Sequence, residues 1–293
     1  MAGGGSTKSL TDVRNGAVLQ MVEAATLGLP FEVWKTRMGR YRTESTVSAF
    51  RAVYATGAAA SPKSPMVGGV GAFWQGFSPK MVESASKGAV LMVAKEALGD
   101  AGRSAGLHPM AAGILAGAGG GVCQTVVMGP CTFVVTAAVT GDGSRSALTI
   151  VRDTFRAKGL KGFYPGGTAI AFRQATNWAS RQGFTDGVRH RMRVWKGKAE
   201  GERLTGGEEL ACGVMGGTLS CWNHPFEVAR IEGQARAAAG QTPLGMVGVW
   251  RMIVKENGAR GLFQGVLPRL GLGIWQTLFM VTGATVVRER LLA

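Results

Sequence analysis

Histidine and cysteine are scarce: the 293 residues include three His and four Cys, and Cys123, Cys131, Cys212 and Cys221 form no Cys-x-x-Cys pair. Without ligand spacing of that kind a metal site is not expected, and the thiols read as buried or idle. No Ser/His/Asp or Cys/His constellation stands out, so the chain is not read as an enzyme and no cofactor is expected. Gly117-Ala118-Gly119-Gly120-Gly121-Val122 begins like a dinucleotide fingerprint, but Val122 takes the place of the third glycine inside an apolar helical stretch. Residues 1 to 9 carry no apolar run of the kind found in a secretory signal, so any targeting information is expected within the chain. Acidic residues are the other shortage: 18 Asp and Glu face 33 Lys and Arg, a formal charge of +15.

What is present narrows the class. An apolar content of 46% excludes an intrinsically disordered chain, and the 46 Gly follow no Gly-X-Y period. The mean hydropathy of +0.12 is high for a soluble protein this basic and low for a conventional bundle of membrane spans. Two classes fit: a basic nucleic-acid-binding protein, or a membrane protein that handles anions. The cations are spread over loops without interleaved aromatic platforms, which argues against nucleic acid and favours phosphate-bearing lipid headgroups as their partners.

Self-similarity organises the chain. Gly159-Leu160-Lys161-Gly162-Phe163-Tyr164-Pro165-Gly166 and Gly258-Ala259-Arg260-Gly261-Leu262-Phe263-Gln264-Gly265 share the pattern Gly-x-basic-Gly-apolar-aromatic-x-Gly, and Gly69 to Gly76 is a looser copy. A second marker, Pro30-Phe31-Glu32-Val33-Trp34-Lys35 and Pro225-Phe226-Glu227-Val228-Ala229-Arg230, recurs with Pro130 between its copies. Three units of about a hundred residues account for the chain, with boundaries expected at 1–100, 101–200 and 201–293 within one structural domain. Each reads as helix, polar amphipathic stretch, helix. The first helices are expected over Leu10 to Arg37, Pro109 to Val139 and Thr205 to Ala235, kinked at Pro30, Pro130 and Pro225. The second helices are expected to run to about Glu96, Arg189 and Arg288. Gly113, Gly117 and Gly121, and Gly213 and Gly217, recur at i+4 and would let helices approach closely in lipid. No Asp, Glu, Lys or Arg interrupts Ser104 to Gly141, which suits membrane burial. The segments joining the helices of each unit, 36–79, 136–165 and 231–264, hold fourteen Lys and Arg against five Asp and Glu, so they are expected on one membrane face with both termini on the other.

Using Gly76, Gly166 and Gly265 as origins, threefold symmetry aligns the second helices. Lys80, Ile170 and Arg269 form one level; Glu83, Arg173 and Leu272 the next; then Lys87, Asn177 and Gln276; then Leu91, Arg181 and Met280. Steps of three and four keep each set on one helix face, and polar groups in a span face the bundle interior. The cations suit a di- or tricarboxylate: guanidinium groups can hold both carboxylate oxygens, and Gln174, Asn177 and Gln276 can meet hydroxyl or keto oxygens. Glu83 and Lys87, at i and i+4, are expected to pair with each other when the site is empty. Lys80 and Arg181 have the alternative of snorkelling toward an interface.

The tripled unit with Pro-x-Glu-x-x-Lys/Arg after its first helix and Gly-x-x-Gly-apolar-aromatic-x-Gly before its second resembles the mitochondrial carrier family over the whole chain. Longer strings, Glu83 to Leu91, Arg173 to Trp178, Trp222 to Val228 and Leu270 to Thr277, are similar to its fungal-type citrate/2-oxoglutarate branch. The resemblance implies an all-α membrane protein of six tilted transmembrane helices, in three pseudo-threefold repeats, around a central cavity. It implies a multi-pass carrier of the mitochondrial inner membrane, with both termini in the intermembrane space. The implied activity is exchange of di- and tricarboxylates such as citrate and 2-oxoglutarate by alternating access, with cardiolipin as a lipid partner.

Carried over by position, Glu83, Lys87 and Leu91 correspond to the first substrate contact region, and Arg173 with Gln174 to the second. Leu272 stands where the third region usually offers a base, with Arg269 one turn deeper as a substitute. In the family the acids and bases of the three Pro motifs form a ring that closes the matrix side. Here Thr132 and Val135 break the second copy. Cyclic pairing would then keep Lys35 with Glu227 and leave Glu32 and Arg230 without charged partners. On the other side the acid-x-x-base motif survives as Asp186 to Arg189, is partial at Glu96 and is lost at Ala284 to Val287, leaving Glu96 with Arg189 as the expected pair. Gates this incomplete admit a second reading, an accessory membrane subunit of a respiratory-chain assembly with reduced or no transport.

Overall fold

The computed structural model describes residues 10–141, 145–199, 202 and 204–291, and among them there is helix and no strand. One order of elements recurs three times. A helix interrupted partway is followed by a short helix, a 3₁₀ turn and a long unbroken helix. The interrupted helices are α1 (Leu10–Glu23) with α2 (Leu29–Arg40), α6 (Pro109–Cys123) with α7 (Thr125–Thr140), and α10 (Gly206–Leu219) with α11 (His224–Ala238). The short ones are α3 (Thr46–Ala60), followed by the extra α4 (Pro65–Gly71), then α8 (Ala147–Lys158) and α12 (Met246–Asn257). The long ones are α5 (Phe77–Ser104), α9 (Gly167–Trp195) and α13 (Val266–Leu291), so α5 leaves its unit a few residues beyond the expected boundary at 100.

Packing closes these helices into a ring. α5 lies against α1, α6 and α7; α9 against α6, α7, α10 and α11; and α13 against α10, α1 and α2. The lower halves α2, α7 and α11 also touch one another pairwise, so the ring narrows at that end. The 29 residues of α9 span about 43 Å at 1.5 Å each, more than the roughly 30 Å of a bilayer's hydrocarbon. Among the described helices only Ala111–Thr140 is apolar enough throughout to cross a membrane on composition alone. The long helices α5 and α9 carry charges toward the ring interior, which lowers their mean hydropathy.

Proline explains where the first helices break. Pro30, Pro130 and Pro225 have no N–H to give the carbonyl four residues earlier, at Thr26, Val126 and Cys221. Thr26 is the non-helical residue (φ −84°, ψ −108°) of the π turn Ala24–Gly28. Cys221 lies in the 3₁₀ turn Ser220–Asn223, and the α6/α7 break falls at Gln124, beside Val126. The Val126 carbonyl is not orphaned: the Tyr164 hydroxyl donates to it at 2.9 Å.

Each short helix seals the narrow end with an apolar core. Leu29, Val33, Val53 and Phe73 pack with Val135 and Val139 under α3; Phe133, Val134, Ile150 and Phe163 pack under α8; Val228, Ala229, Val249 and Ile253 pack under α12. Ser45 and Ser146 cap α3 and α8, accepting from Ser48 N and Thr149 N at 3.2 Å, which satisfies one exposed donor at each start.

The aromatic-x-Gly glycines have φ of 75° (Gly76), 71° (Gly166) and 89° (Gly265), a left-handed conformation open to Gly at no steric cost. Each also sits on the next unit at the position of its motif base. A Cβ would lie 3.0 Å from Val135 Cα at Gly76, 3.2 Å from Arg230 O at Gly166 and 3.0 Å from Lys35 O at Gly265. Sequence periodicity assigned close approach to the i+4 glycines, and the structure uses them unevenly. A side chain at Gly121 would strike Trp178 and one at Gly213 would strike Thr277, whereas Gly113, Gly117 and Gly217 face open space.

Candidate functional site

The ring encloses a cavity of about 500 Å³. Of the twelve positions aligned by threefold symmetry, eleven line it: Lys80, Glu83, Lys87, Leu91, Arg173, Asn177, Arg181, Arg269, Leu272, Gln276 and Met280. The twelfth, Ile170, is fully buried in packing. Gln174 lines the cavity as well. Seven cationic side chains (Lys35, Lys80, Lys87, Arg173, Arg181, Arg230 and Arg269) and three carboxylates (Glu23, Glu32 and Glu83) face this space, a balance that attracts anions.

Several partners differ from those read in the sequence. Glu83 pairs with Lys80, Oε1 to Nζ at 3.2 Å, rather than with Lys87. An i, i−3 neighbour is as accessible on a helix as i+4, and this one lies on the buried side. Lys87 has no carboxylate oxygen within 4.0 Å among the described residues and is left to the cavity. Arg181 does not snorkel: its Nη2 donates to Thr277 Oγ1 across the cavity at 3.2 Å. Arg269 donates to Asn223 Oδ1 and lies 3.4 Å from His224 Nδ1. Its charge therefore reaches the cavity from just above the narrow end, at the level below Leu272.

The narrow end is closed by a buried charge network more complete than cyclic pairing predicts. Lys35 Nζ lies 2.6 Å from Glu227 Oε1 and 2.8 Å from Glu32 Oε2. Arg230 Nη2 lies 2.9 Å from Glu227 Oε1 and 3.4 Å from Glu32 Oε1. Glu32 and Arg230 are thus partnered, each within its own motif and across to the other, which corrects the expectation that they stand alone. The broken second copy is filled by hydrogen bonds. Gln234 Nε2 donates to Thr132 Oγ1 at 2.9 Å, while its Oε1 accepts from Thr136 Oγ1 at 2.9 Å and from Arg230 Nη1 at 2.8 Å. Gln234, fully buried and one turn after Arg230, lies outside the acid and base positions of the motif, so motif reading passes over it.

At the wide end Arg189 bonds Asp186 Oδ1 at 2.9 Å and Glu209 Oε2 of α10 at 2.8 Å. Glu96 is exposed and forms no ion pair with Arg189 among the described residues, which corrects that expected pair. The third copy, Ala284 to Val287, lies outside the described side chains. Arg189 thus bridges α9 to α10 at the wide end, whereas charges from α2, α9 and α11 meet at the narrow end.

Two features escaped alignment of the second helices because they belong to the first ones. Gln124, at the α6/α7 break, donates to Lys87 O at 2.8 Å and accepts from Gln174 Nε2 at 2.7 Å and Trp178 Nε1 at 3.0 Å, tying α5 to α9. Gln20 and Glu23 of α1 line the cavity, and Gln20 Oε1 and Glu23 Oε1 are buried without a hydrogen-bond partner. Arg173 links site and gate. Its Nε is 3.1 Å from Glu227 Oε2, yet that buried N–H makes no aligned hydrogen bond. Among the described residues no group of three or more His, Cys, Asp or Glu could hold a metal ion.

Relatives place this geometry. The family profile described as "Mitochondrial carrier protein" matches residues 107–194 and 202–292, the two strong copies of the repeat. The chain is 34% identical to the citrate/oxoglutarate carrier protein of Saccharomyces cerevisiae, over 96% of this chain and 90% of that protein. It is 22% identical to the tricarboxylate transport protein of the same yeast, over 84% of each chain. It is 30% identical to the mitochondrial substrate carrier family protein Z of Dictyostelium discoideum, over 54% of this chain and 51% of that one. The chain belongs to the mitochondrial carrier family, whose members are membrane transporters and not enzymes.

Proposed function

We propose that this protein is a mitochondrial inner-membrane antiporter that exchanges citrate and 2-oxoglutarate by alternating access. Three repeats, near 1–100, 101–200 and 201–293, would supply six tilted spans as one domain, with both termini in the intermembrane space. The basic connecting segments would then face the matrix, where cardiolipin headgroups suit their charge. The observation that carries the reading is Arg173, a partly exposed guanidinium shared between the cavity and Glu227 of the closed gate, its Nε buried against that carboxylate. A substrate carboxylate that meets the exposed part of this guanidinium competes with Glu227 for the same cation, so binding loosens the gate beneath it. A ligand shifts a two-state equilibrium by its differential affinity for the states, and Arg173 makes the gate part of that difference. Lys87, Arg181 and Arg269 hold the remaining carboxylates, while Asn177, Gln276 and Gln174 meet the other oxygens. Leu91 bounds the chamber above.

Purified protein in liposomes loaded with 2-oxoglutarate tests this. Labelled citrate outside should enter only against internal substrate, and absence of exchange with either carboxylate overturns the reading. The accessory-subunit alternative rested on unpartnered gate charges; those charges are partnered, and nothing else in the site favours it.

A further inference from the structure

Glu23 is a buried carboxylate for which the exchange reading has no use. It lies in the last turn of α1, directly before the π turn, and lines the cavity while only 4% exposed. Its side chain folds down onto Gly28: a Cβ there would lie 3.0 Å from the Glu23 carboxyl carbon, and glycine leaves that space free. The Oε1 atom resting there has no hydrogen-bond partner; Glu83 Oε2 has none either, but the Glu83 carboxylate holds Lys80 through Oε1 at 3.2 Å. Its backbone is pinned, the carbonyl accepting from Thr26 Oγ1 at 2.8 Å and Trp275 Nε1 at 3.4 Å. A buried ionised oxygen without a donor is stable only beside a compensating cation.

The groups facing it supply one such cation to spare. From α5 come Lys80, Glu83 and Lys87; from α2, Glu32; from α13, Gln276, with Arg269 further down the same helix. Lys80 is held by Glu83 at 3.2 Å. Lys87 has no close carboxylate and is the first of the cations acting on Glu23. Lys87 is also a proposed substrate ligand. When a substrate carboxylate takes Lys87, Glu23 keeps only the Gln276 side chain and Lys80, which Glu83 already holds, and gains a negative neighbour.

We propose that Glu23 is a proton-binding site that couples proton movement to citrate. Resting on the exchange reading above, the cycle balances. The citrate trianion draws one proton from the water on its side onto the Glu23 carboxylate, and both leave on the other side. The 2-oxoglutarate dianion, satisfied by Arg173 and Arg269, returns with Glu23 ionised beside Lys87. Two negative charges then move each way and the exchange is electrically silent.

The test starts with wild-type protein in weakly buffered detergent with a pH indicator. Citrate should draw one proton from solution per molecule bound and 2-oxoglutarate none, and Glu23→Gln should abolish the citrate uptake while thermal shift still reports binding. In liposomes, wild-type citrate/2-oxoglutarate exchange should shift its end point about tenfold per unit of imposed pH gradient and ignore a potassium diffusion potential. A wild-type protein that exchanges both substrates but takes up no proton with citrate, or follows the potential, overturns the proposal and leaves the exchange reading intact. Proton uptake that survives Glu23→Gln, or that Glu83→Gln removes instead, also overturns it. If Glu23→Gln does not fold, Glu23→Asp keeps the carboxyl on a shorter arm and should shift the pH midpoint of citrate binding; an unchanged midpoint counts against Glu23.

Discussion

Lys35 Nζ on α2 lies 2.6 Å from Glu227 Oε1 on α11, and Glu227 is shared with Arg230 at 2.9 Å and Arg173 at 3.1 Å. Three cations converge on one fully buried carboxylate, so the closure of the narrow end is concentrated on one residue. Glu32, by contrast, meets two cations, and one of those only at 3.4 Å.

That asymmetry orders two substitutions. Glu227→Gln leaves three cations around a neutral group, and breaking a buried pair typically costs about 3–5 kcal/mol. Glu32→Gln should cost less. Thermal unfolding of the purified variants should show the larger loss for Glu227→Gln, together with the larger fall in citrate exchange. The reverse order would show that the load is not centred on Glu227.

The hydrogen-bonded corner makes its own prediction. Gln234→Leu keeps the volume but removes one partner each from Thr132, Thr136 and Arg230 Nη1; Thr132 keeps Met128 O at 2.6 Å, and Arg230 Nη1 keeps Thr136 Oγ1 at 3.3 Å. Unsatisfied buried groups cost roughly 1–3 kcal/mol each. The variant should be destabilised by about 1–3 kcal/mol in chemical or thermal unfolding, and Gln234→Glu should recover part of it by pairing with Arg230.

For the cavity, Arg173→Ala and Lys87→Ala should each lower citrate exchange by about tenfold to a hundredfold, the scale of a charge-assisted bond of roughly 1.5–3 kcal/mol. Arg173→Lys should recover little, because an ammonium cannot reach substrate and Glu227 with the fork that a guanidinium offers. Uptake undiminished in both alanine variants would remove these residues from the site.

Gly166→Ala should lower stability by about 1–2 kcal/mol from the left-handed backbone alone, before any contact with Arg230 O at 3.2 Å. A matched Gly217→Ala, where no atom lies within 4 Å, should leave the unfolding temperature nearly unchanged.

The repeat made much of this legible. Equal offsets from three glycines located eleven cavity residues because helical phase is a property of sequence spacing. The three proline markers located the breaks, since each lost N–H acts on the carbonyl four residues back. Partner choice was not legible. Glu83 faces Lys80 and Lys87 at equivalent helical distance, and only the packing of α5 against its neighbours selects Lys80. Gln124, Gln234 and Glu23 escaped because uncharged amides and a lone acid belong to no repeated pattern; their importance arises from what crosses to them from other helices.

The glycines of the three aromatic-x-Gly markers form a closed circuit, each unit resting on the backbone of the next at Val135, Arg230 and Lys35 and the last returning to the first. A chain of supports with two ends can swing open at either one. A circuit has no end, so a displacement at one seat is passed to the other two. The narrow end should therefore dilate as an iris, with three junctions sliding together, and a pin placed across any single junction should immobilise them all.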